Sequence, residues 1–342
     1  MADIAVKVGT FNVLNLARQG EKYYDDEPAY TAEEYEAKAN WIADQLTDMD
    51  ADVVGFQEVF HEEALRDVCA RSGRYQAGTV VAPGADGTSG PQLGIATRLP
   101  IIDAATTTVQ FPRGLDVVAA GIALPVGEFS RPVLRTRLRL DDTREVTVFV
   151  VHLKSKRPIR ADGAAPDDPR EEALGKARAL IRRASEAAAL RFLLLEEMVG
   201  NTRPVIVLGD LNDATRAVTT DIVMGDEPSR FWPSPAKKPI YWDRLLYSAH
   251  EINARNSGRD VSYTHIFNGR YDNLDHILVS QEFYDRNPQR IATVANVRYF
   301  NDHLVDSQLS NDRRTRVTSD HAQVVAEIHL RAVPVPNPVP DN

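Results

Sequence analysis

Apolar positions along the chain follow two periods. Alternating or unbroken apolar runs, the mark of half-buried and fully buried strands, occupy residues 4–13, 52–56, 75–81, 93–97, 133–140, 146–151, 205–208, 274–279 and 324–330. Helical spacing fills some of the intervals. Thr31-Ala-Glu-Glu34 has the capping-box form, and Tyr35, Ala39, Ile42 and Leu46 follow at intervals of three and four, which predicts a helix ending near Asp50. Residues 62–70 read as a second helix. Residues 169–199, rich in Ala, Leu and Arg with only Gly175 to interrupt them, read as a long third one. The loop before it, 157–169, is rich in Pro, Gly and Asp, and no repeat of the solenoid type is present. Prolines at every second position from Pro334 to Pro340 cannot donate to a strand ladder, so 332–342 reads as an extended tail outside one folded unit, 1–331. The pattern alone gives a mixture of α and β.

Composition narrows the class. The 342 residues are 43 % hydrophobic and 26 % charged, the balance of a globular protein with one continuous core. No stretch approaches the roughly 18 apolar residues of a membrane span, and no basic segment followed by an apolar one opens the chain. A soluble protein without stable membrane association is therefore expected, cytoplasmic unless a leader has been trimmed. The lone Cys69 has no partner for an intramolecular disulfide and reads as a core residue on the second helix. No His/Cys set has zinc-ligand spacing. A net charge of −9 argues against coating duplex nucleic acid by electrostatics alone. Residues 152–203 are an exception, with eleven Lys/Arg against eight Asp/Glu, so the rest of the chain carries −12.

Polar residues suited to chemistry recur where strands end, the places at which a β-scaffold gathers distant parts of a chain. They are Asn12 in Thr-Phe-Asn-Val-Leu-Asn, Glu58 in Gly-Phe-Gln-Glu-Val, His152 in Val-Val-His-Leu-Lys-Ser, Asp210 and Asn212 in Gly-Asp-Leu-Asn-Asp, and Asp320-His321 in Thr-Ser-Asp-His-Ala. Asp210 and Asn212 stand two apart, so strand periodicity points them the same way. Each motif alone is weak, and an Asp/Asn turn after a strand is commonplace. All five in this order resemble the endonuclease/exonuclease/phosphatase superfamily over about residues 6–330. That superfamily includes DNase I-like nucleases, abasic-site endonucleases, neutral sphingomyelinases and inositol polyphosphate phosphatases.

The resemblance implies an α/β four-layer sandwich of two packed, mostly antiparallel sheets flanked by helices, with the site at one edge and residues 1–331 as the catalytic domain. It implies Glu58 as principal metal ligand, with Asn12 and Asp320 completing the set. Hard oxygen ligands of this kind suit Mg²⁺, with Mn²⁺ able to substitute. It makes Asp210 the group that orients or deprotonates the attacking water, Asn212 and His321 holders of phosphoryl oxygens, and Asp275 the carboxylate that fixes the His321 tautomer, with Asp272 a weaker choice. His276, next along that strand, is expected to face away, and Asp213 to cap a helix. His152 corresponds to the histidine that contacts phosphate and protonates the leaving oxygen in DNase I-like and sphingomyelinase-like members. Where those members orient it with an acidic residue, this chain has Gln92. Lys154 and Arg157 are placed to hold substrate phosphates, while the arginines on the long helix read as a solvated face.

Divalent-metal-dependent hydrolysis of a phosphodiester, with nucleic acid as the leading substrate, is the expected activity. A lipid head group or small phosphorylated molecule is the alternative substrate, for which Phe231-Trp232-Pro233 is the one candidate membrane-touching aromatic segment. A binding module that keeps the fold without the chemistry is the third reading, and loss of Glu58, Asp210 or His321 would be its mark.

Overall fold

A computed structural model describes residues 4–115, 126–165, 167–226, 242–256, 261–309 and 315–332. Most of the proline-rich tail and the Phe231-Trp232-Pro233 segment lie outside these described residues.

Strand β1 (Ile4–Leu16) and strand β2 (Val53–Val59) run parallel, joined by helix α1 (Ala32–Met49), which carries the chain back over the outer face of their sheet. The expected capping box forms at Thr31 and Glu34, and Asp50, in the left-handed region, closes the helix. Helix α2 (Glu62–Arg71), the short β3 (Val80–Val81) and β4 (Gln92–Thr97) follow. The same device then recurs. After β5 (Ile101–Gln110) and β6 (Glu128–Arg139), β7 (Glu145–His152) and β8 (Val205–Asp210) run parallel, joined by the 30-residue helix α3 (Pro169–Met198). The remaining elements are α4 (Val218–Met224), β9 (Tyr247–Ser248), α5 (Ala249–Asn256), the hairpin β10 (His265–Phe267) and β11 (Arg270–Asp272), β12 (Asp275–Val279), β13 (Ala292–Phe300) and β14 (Gln323–Leu330).

Two mixed sheets of six strands result, ordered β13-β14-β1-β2-β4-β3 and β5-β6-β7-β8-β12-β9, each with one parallel pair at its centre and antiparallel pairs elsewhere. Val8, Val53 and Ile95 of one sheet share an apolar core with Val148, Val150, Ile206 and Leu208 of the other. Ala39, Ile42 and Leu46 of α1 cover the first sheet outside, and Leu190 and Leu194 of α3 cover the second. Four layers, helix, sheet, sheet, helix, follow. Because β2 and β8 are covered on both faces, they read as unbroken apolar runs. Each such side chain contributes on the order of 2 kcal/mol by leaving water.

This topology decides where polar side chains gather. The carboxyl ends of both central parallel pairs meet at one edge of the sandwich. Antiparallel β12 begins there, with Asp275 in register with Asp210, and Asp210 is in register with His152. Gly209 makes the close approach possible: its φ is +153°, and a Cβ there would collide with the Val151 carbonyl oxygen. Gly209→Ala is expected to cost about 3 kcal/mol in urea unfolding. A loss below about 1 kcal/mol would show that β8 can shift without strain.

Several expectations change. The strand expected at 75–81 shrinks to Val80–Val81 behind a 3-10 turn, Ala77–Thr79. Strand β5 went unread because it is an edge strand with little burial on either face, so no alternation marks it. In β13 a register shift between Val294 and Asn296 breaks the period of two. Asp213 caps no helix, since α4 begins after Ala217; its carboxylate instead accepts from the Thr219 hydroxyl at 2.8 Å and faces Arg183 and Lys156.

Candidate active site

Local strain builds the site. Among the described residues, six non-glycines have positive φ, and four of them, Leu14, Asn15, Glu58 and Asn212, lie beside the gathered strand ends. Glu58 is not the residue after a strand, as its position suggests, but sits at φ +64° within a register shift between Phe56 and Val59, level with one in β1. A bulge of this kind re-aims a side chain that regular alternation would send elsewhere. Its Oε2 accepts from the Asn15 backbone N–H at 3.1 Å, and its Oε1 faces the Asn12 amide at 3.4 Å.

Asp210 is the hub. Its Oδ1 accepts the Asn212 backbone N–H at 2.7 Å; its Oδ2 accepts from the Asn12 and Asn212 amides at 3.3 and 3.2 Å. The same Oδ2 lies 3.4 Å from His152 Nε2 and 3.8 Å from His321 Nε2. His321 is tied on its other side, its Nδ1 lying 2.8 Å from Asp275 Oδ2. Ser319 secures that turn by donating to the Asn12 carbonyl and accepting the His321 backbone N–H. Thr264 accepts the backbone N–H groups of Leu274 and Asp275 and so holds the start of β12.

These neighbours set the protonation pattern. Burial alone would drive the His321 imidazolium off, but the Asp275 and Asp210 carboxylates outweigh it and raise its pKa well above the usual value. Burial pushes the Asp210 carboxyl up to about 7, against the pull of the His321 cation. His152 goes the opposite way. Burial, with the cations of Arg131, His321 and Lys154, lowers it well below the ordinary range, and its Nδ1 is buried without a hydrogen-bond partner among the described residues. That environment disfavours the protonated form on which the proton-donor role expected of His152 depends. Nor does Gln92 orient it: that amide donates to the Ser89 and Gly90 carbonyls.

The other expected residues divide. Asn12 and Glu58 stand together against Asp210, but Asn12 presents its NH₂ to the carboxylates, and its carbonyl oxygen accepts the Leu14 N–H at 3.1 Å. In this placement it positions carboxylates rather than ligating through oxygen. Asn212 spends its amide on the Leu153 carbonyl and on Asp210, so it too buttresses the hub. Asp320 brings a carboxylate oxygen within 4.8 Å of ring nitrogens of His265 and His321. Asp272 faces Lys156 at 3.7 Å and the buried His276 reaches the Asp213 carbonyl, while the contact to His321 Nδ1 is made by Asp275. His265, passed over in the sequence, is brought to the site by the β10–β11 hairpin, its ring 5.1 Å from that of His321.

A cleft of about 300 Å³ is lined by Tyr24, Ser130, Arg131, Lys154 and Arg182, among others; Arg131 and Lys154 bear on His152, and Glu58 bears on Tyr24. Burial, then the nearby Arg131, lowers the Lys154 ammonium to about 8; it donates to the Ser155 and Arg157 carbonyls and to the Ser155 hydroxyl. Arg157 is exposed, and its charge reaches Tyr24 and Lys154. Arg131 is the residue the sequence hid. Its Nε is buried without a partner among the described residues, yet along a strand carrying Arg135, Arg137 and Arg139 it reads as one more solvated arginine.

A divalent cation suits these donors. Among the described residues Glu58 uses two of the four lone-pair sites of its carboxylate on hydrogen bonds, one of them long. Asp275 Oδ1 is buried without a hydrogen-bond partner among the described residues. Asp210, Asp275 and His321 also bring one ligand atom each within 4.8 Å of one another, but the 2.8 Å bond between His321 and Asp275 already satisfies that trio by proton sharing.

A model of the Endonuclease/Exonuclease/phosphatase family matches residues 9–321. No curated protein matches the chain. Among solved structures, the endonuclease/exonuclease/phosphatase from Bacteroides vulgatus superposes with TM-score 0.55 at 15% identity, covering 96% of this chain and 100% of that one. TDP2 of D. rerio, complexed with single strand DNA product, gives 0.54 at 14%, covering 96% and 100%. The human nocturnin catalytic domain with bound sulfate anion gives 0.52 at 16%, covering 96% and 97%. At such identities the likeness is one of fold.

Proposed function

The chain belongs to the endonuclease/exonuclease/phosphatase family, whose members are typically metal-dependent phosphoester hydrolases, and from that premise we propose that it is a divalent-metal-dependent phosphodiesterase acting on nucleic acid. The observation that carries this reading is the meeting of two unlike halves in one site. The charges of Arg131 and Lys154, which with Arg182 wall a cleft, bear on His152, 3.4 Å from the Asp210 carboxylate, and the Glu58 charge bears on Tyr24 of the same cleft. One half suits water activation and a cation, and the other suits an anionic chain. The D. rerio TDP2 structure with its single strand DNA product supports a polynucleotide on this scaffold.

In this reading Asp210, held by Asn12 and Asn212, takes the proton of the water that attacks phosphorus in line, while the opposite P–O bond breaks and the leaving oxygen takes a proton from solvent. The His321 cation, fixed by Asp275, holds a phosphoryl oxygen, and Arg131 holds the charge of the same or the neighbouring phosphate. Glu58 is the residue to hold Mg²⁺ or Mn²⁺, with Asp320 as a second carboxylate on the His321 side; a bound divalent cation supplies Lewis-acid neutralisation of phosphoryl charge. His152, neutral and beside Asp210, serves as a hydrogen-bonding wall of the site.

The test is product analysis on supercoiled plasmid, linear duplex, single-stranded DNA, RNA, sphingomyelin and an aryl phosphodiester, each with Mg²⁺, Mn²⁺ or EDTA. Metal-dependent scission of a polynucleotide is the expected result. Intact nucleic acids with turnover of the lipid or the small diester would remove the nuclease reading and leave the phosphoesterase. Arg131→Gln is expected to raise KM for the polymer by roughly 10- to 100-fold, the value of a charge-assisted hydrogen bond, with kcat changed far less. An unchanged KM would place the substrate elsewhere.

A further inference from the structure

Helix α3 departs from the pattern of a surface helix. Its inner side packs on the second sheet through Ala187, Leu190 and Leu194. Its outer side should then be polar, but Leu174 is 53% exposed, Ile181 47%, Phe192 39% and Val199, at its C-cap, 41%. These four and half-buried Ala188 are spaced seven, seven, four and seven residues apart in chain order, which at 3.6 residues per turn places all five within an arc of about 40°. Ala177, Ala184 and Leu195 widen the stripe on one side. From Leu174 to Val199 no charged residue interrupts it; Arg178 and Glu196 border it together on the other side. A continuous apolar stripe along a helix of this length marks a surface that is covered in solution.

The arrangement also says by what. Leu174 and Val199 are equidistant from the point midway between Glu186 and Ala187, and so are Ile181 and Phe192. A two-fold axis level with that point, perpendicular to the helix and midway between two facing copies, lays Leu174 of one copy on Val199 of the other and Ile181 on Phe192, twice each. Such self-complementarity is what an isologous interface requires and what an unrelated partner does not. The same operation keeps like borders together and brings Glu196 of each copy level with Arg178 of the other, whose guanidinium is also held by Glu171 at 2.6 Å and by the Ile159 carbonyl of its own chain. At the centre lie Ala184 and Ala188, small enough to let two helix axes approach to roughly 8 Å.

We propose that the protein forms a homodimer through antiparallel pairing of its α3 helices along the Leu174, Ile181, Phe192 and Val199 stripe. The pairing does not depend on the substrate assigned to the active site.

Sedimentation velocity of the full chain across a hundredfold concentration range tests it. A species of twice the 38.0 kDa chain mass is expected. Ile181→Glu and Phe192→Lys, both at exposed positions, should each raise the dissociation constant on the order of 100-fold, the effect of losing a central apolar contact. Far-UV circular dichroism should stay unchanged. The double variant Ile181→Glu, Phe192→Lys sets opposite charges against each other only in the antiparallel register and should recover much of the association. A monomer at every concentration overturns the proposal, as does a dimer that neither single variant weakens; a monomer whose stripe is protected only on lipid vesicles overturns it in favour of a membrane surface. Failure of the double variant to recover overturns the antiparallel register.

Discussion

Glu58→Gln is expected to lower phosphodiester turnover by about 10³-fold, the value of several kcal/mol of charge neutralisation on the phosphoryl group. Glutamine keeps the length of the side chain and one carbonyl oxygen, so the Asn15 N–H at 3.1 Å retains an acceptor and the bulge between Phe56 and Val59 has no new strain to absorb. What disappears is the negative charge on a half-buried side chain with spare lone pairs. Two readouts separate this from a folding defect. Urea unfolding should match the parent protein, and Mn²⁺ binding, followed by electron paramagnetic resonance, should weaken at least tenfold. Activity within tenfold of the parent would mean that the cation is held by other residues, and the Asp320, His265 and His321 group would be the place to look.

Asp210→Asn should cost 10²- to 10⁴-fold in kcat, the range of a lost general base. Its pH signature is more specific. With its pKa pushed up to about 7 by burial, Asp210 is the active base only when ionised, so kcat/KM of the parent should climb with pH and lose slope near 7 or below. Neutralising the Glu58 charge, one of the causes that raise Asp210, moves that limb downward. The variant should show residual activity without this limb. Stability moves the other way. The folded pKa is raised above the ordinary 3.8, so the stability contributed by the neutral carboxyl is full below about 3.8 and lost as pH rises through about 7. Relieved of a buried charge, the variant should be more resistant to urea than the parent at pH 8 and show little advantage at pH 4. An advantage that is the same at both pH values would show that Asp210 does not titrate in this interval.

Both predictions rest on residues visible in the sequence at strand ends, and the reason they are visible is physical. An unbroken apolar run such as Val205–Leu208, buried on both faces, has to stop where it reaches the edge of the sandwich, and the polar residues that follow announce that edge. The capping box at Thr31 and Glu34 is equally local and equally legible. Strand β13, with its register shift, and β5, an edge strand with little to bury, carry no such signal.

The sequence by itself thus determined the alternation of buried strands with covering helices and the identities of the polar residues at their ends, because burial period and capping depend on near neighbours in the chain. Only the tertiary structure decided what those residues do to one another. Asn12, Asp210 and Glu58 are far apart in sequence, and which atom of an amide faces which carboxylate depends on two bulges and two parallel pairs meeting at one edge. Through-space charge and burial, which no local pattern encodes, favour the charged form of His321 and the neutral form of His152 and put Asp210 near 7, and what sets Arg131 apart from the other arginines of β6 is its place in the cleft and the reach of its charge to His152 and Lys154.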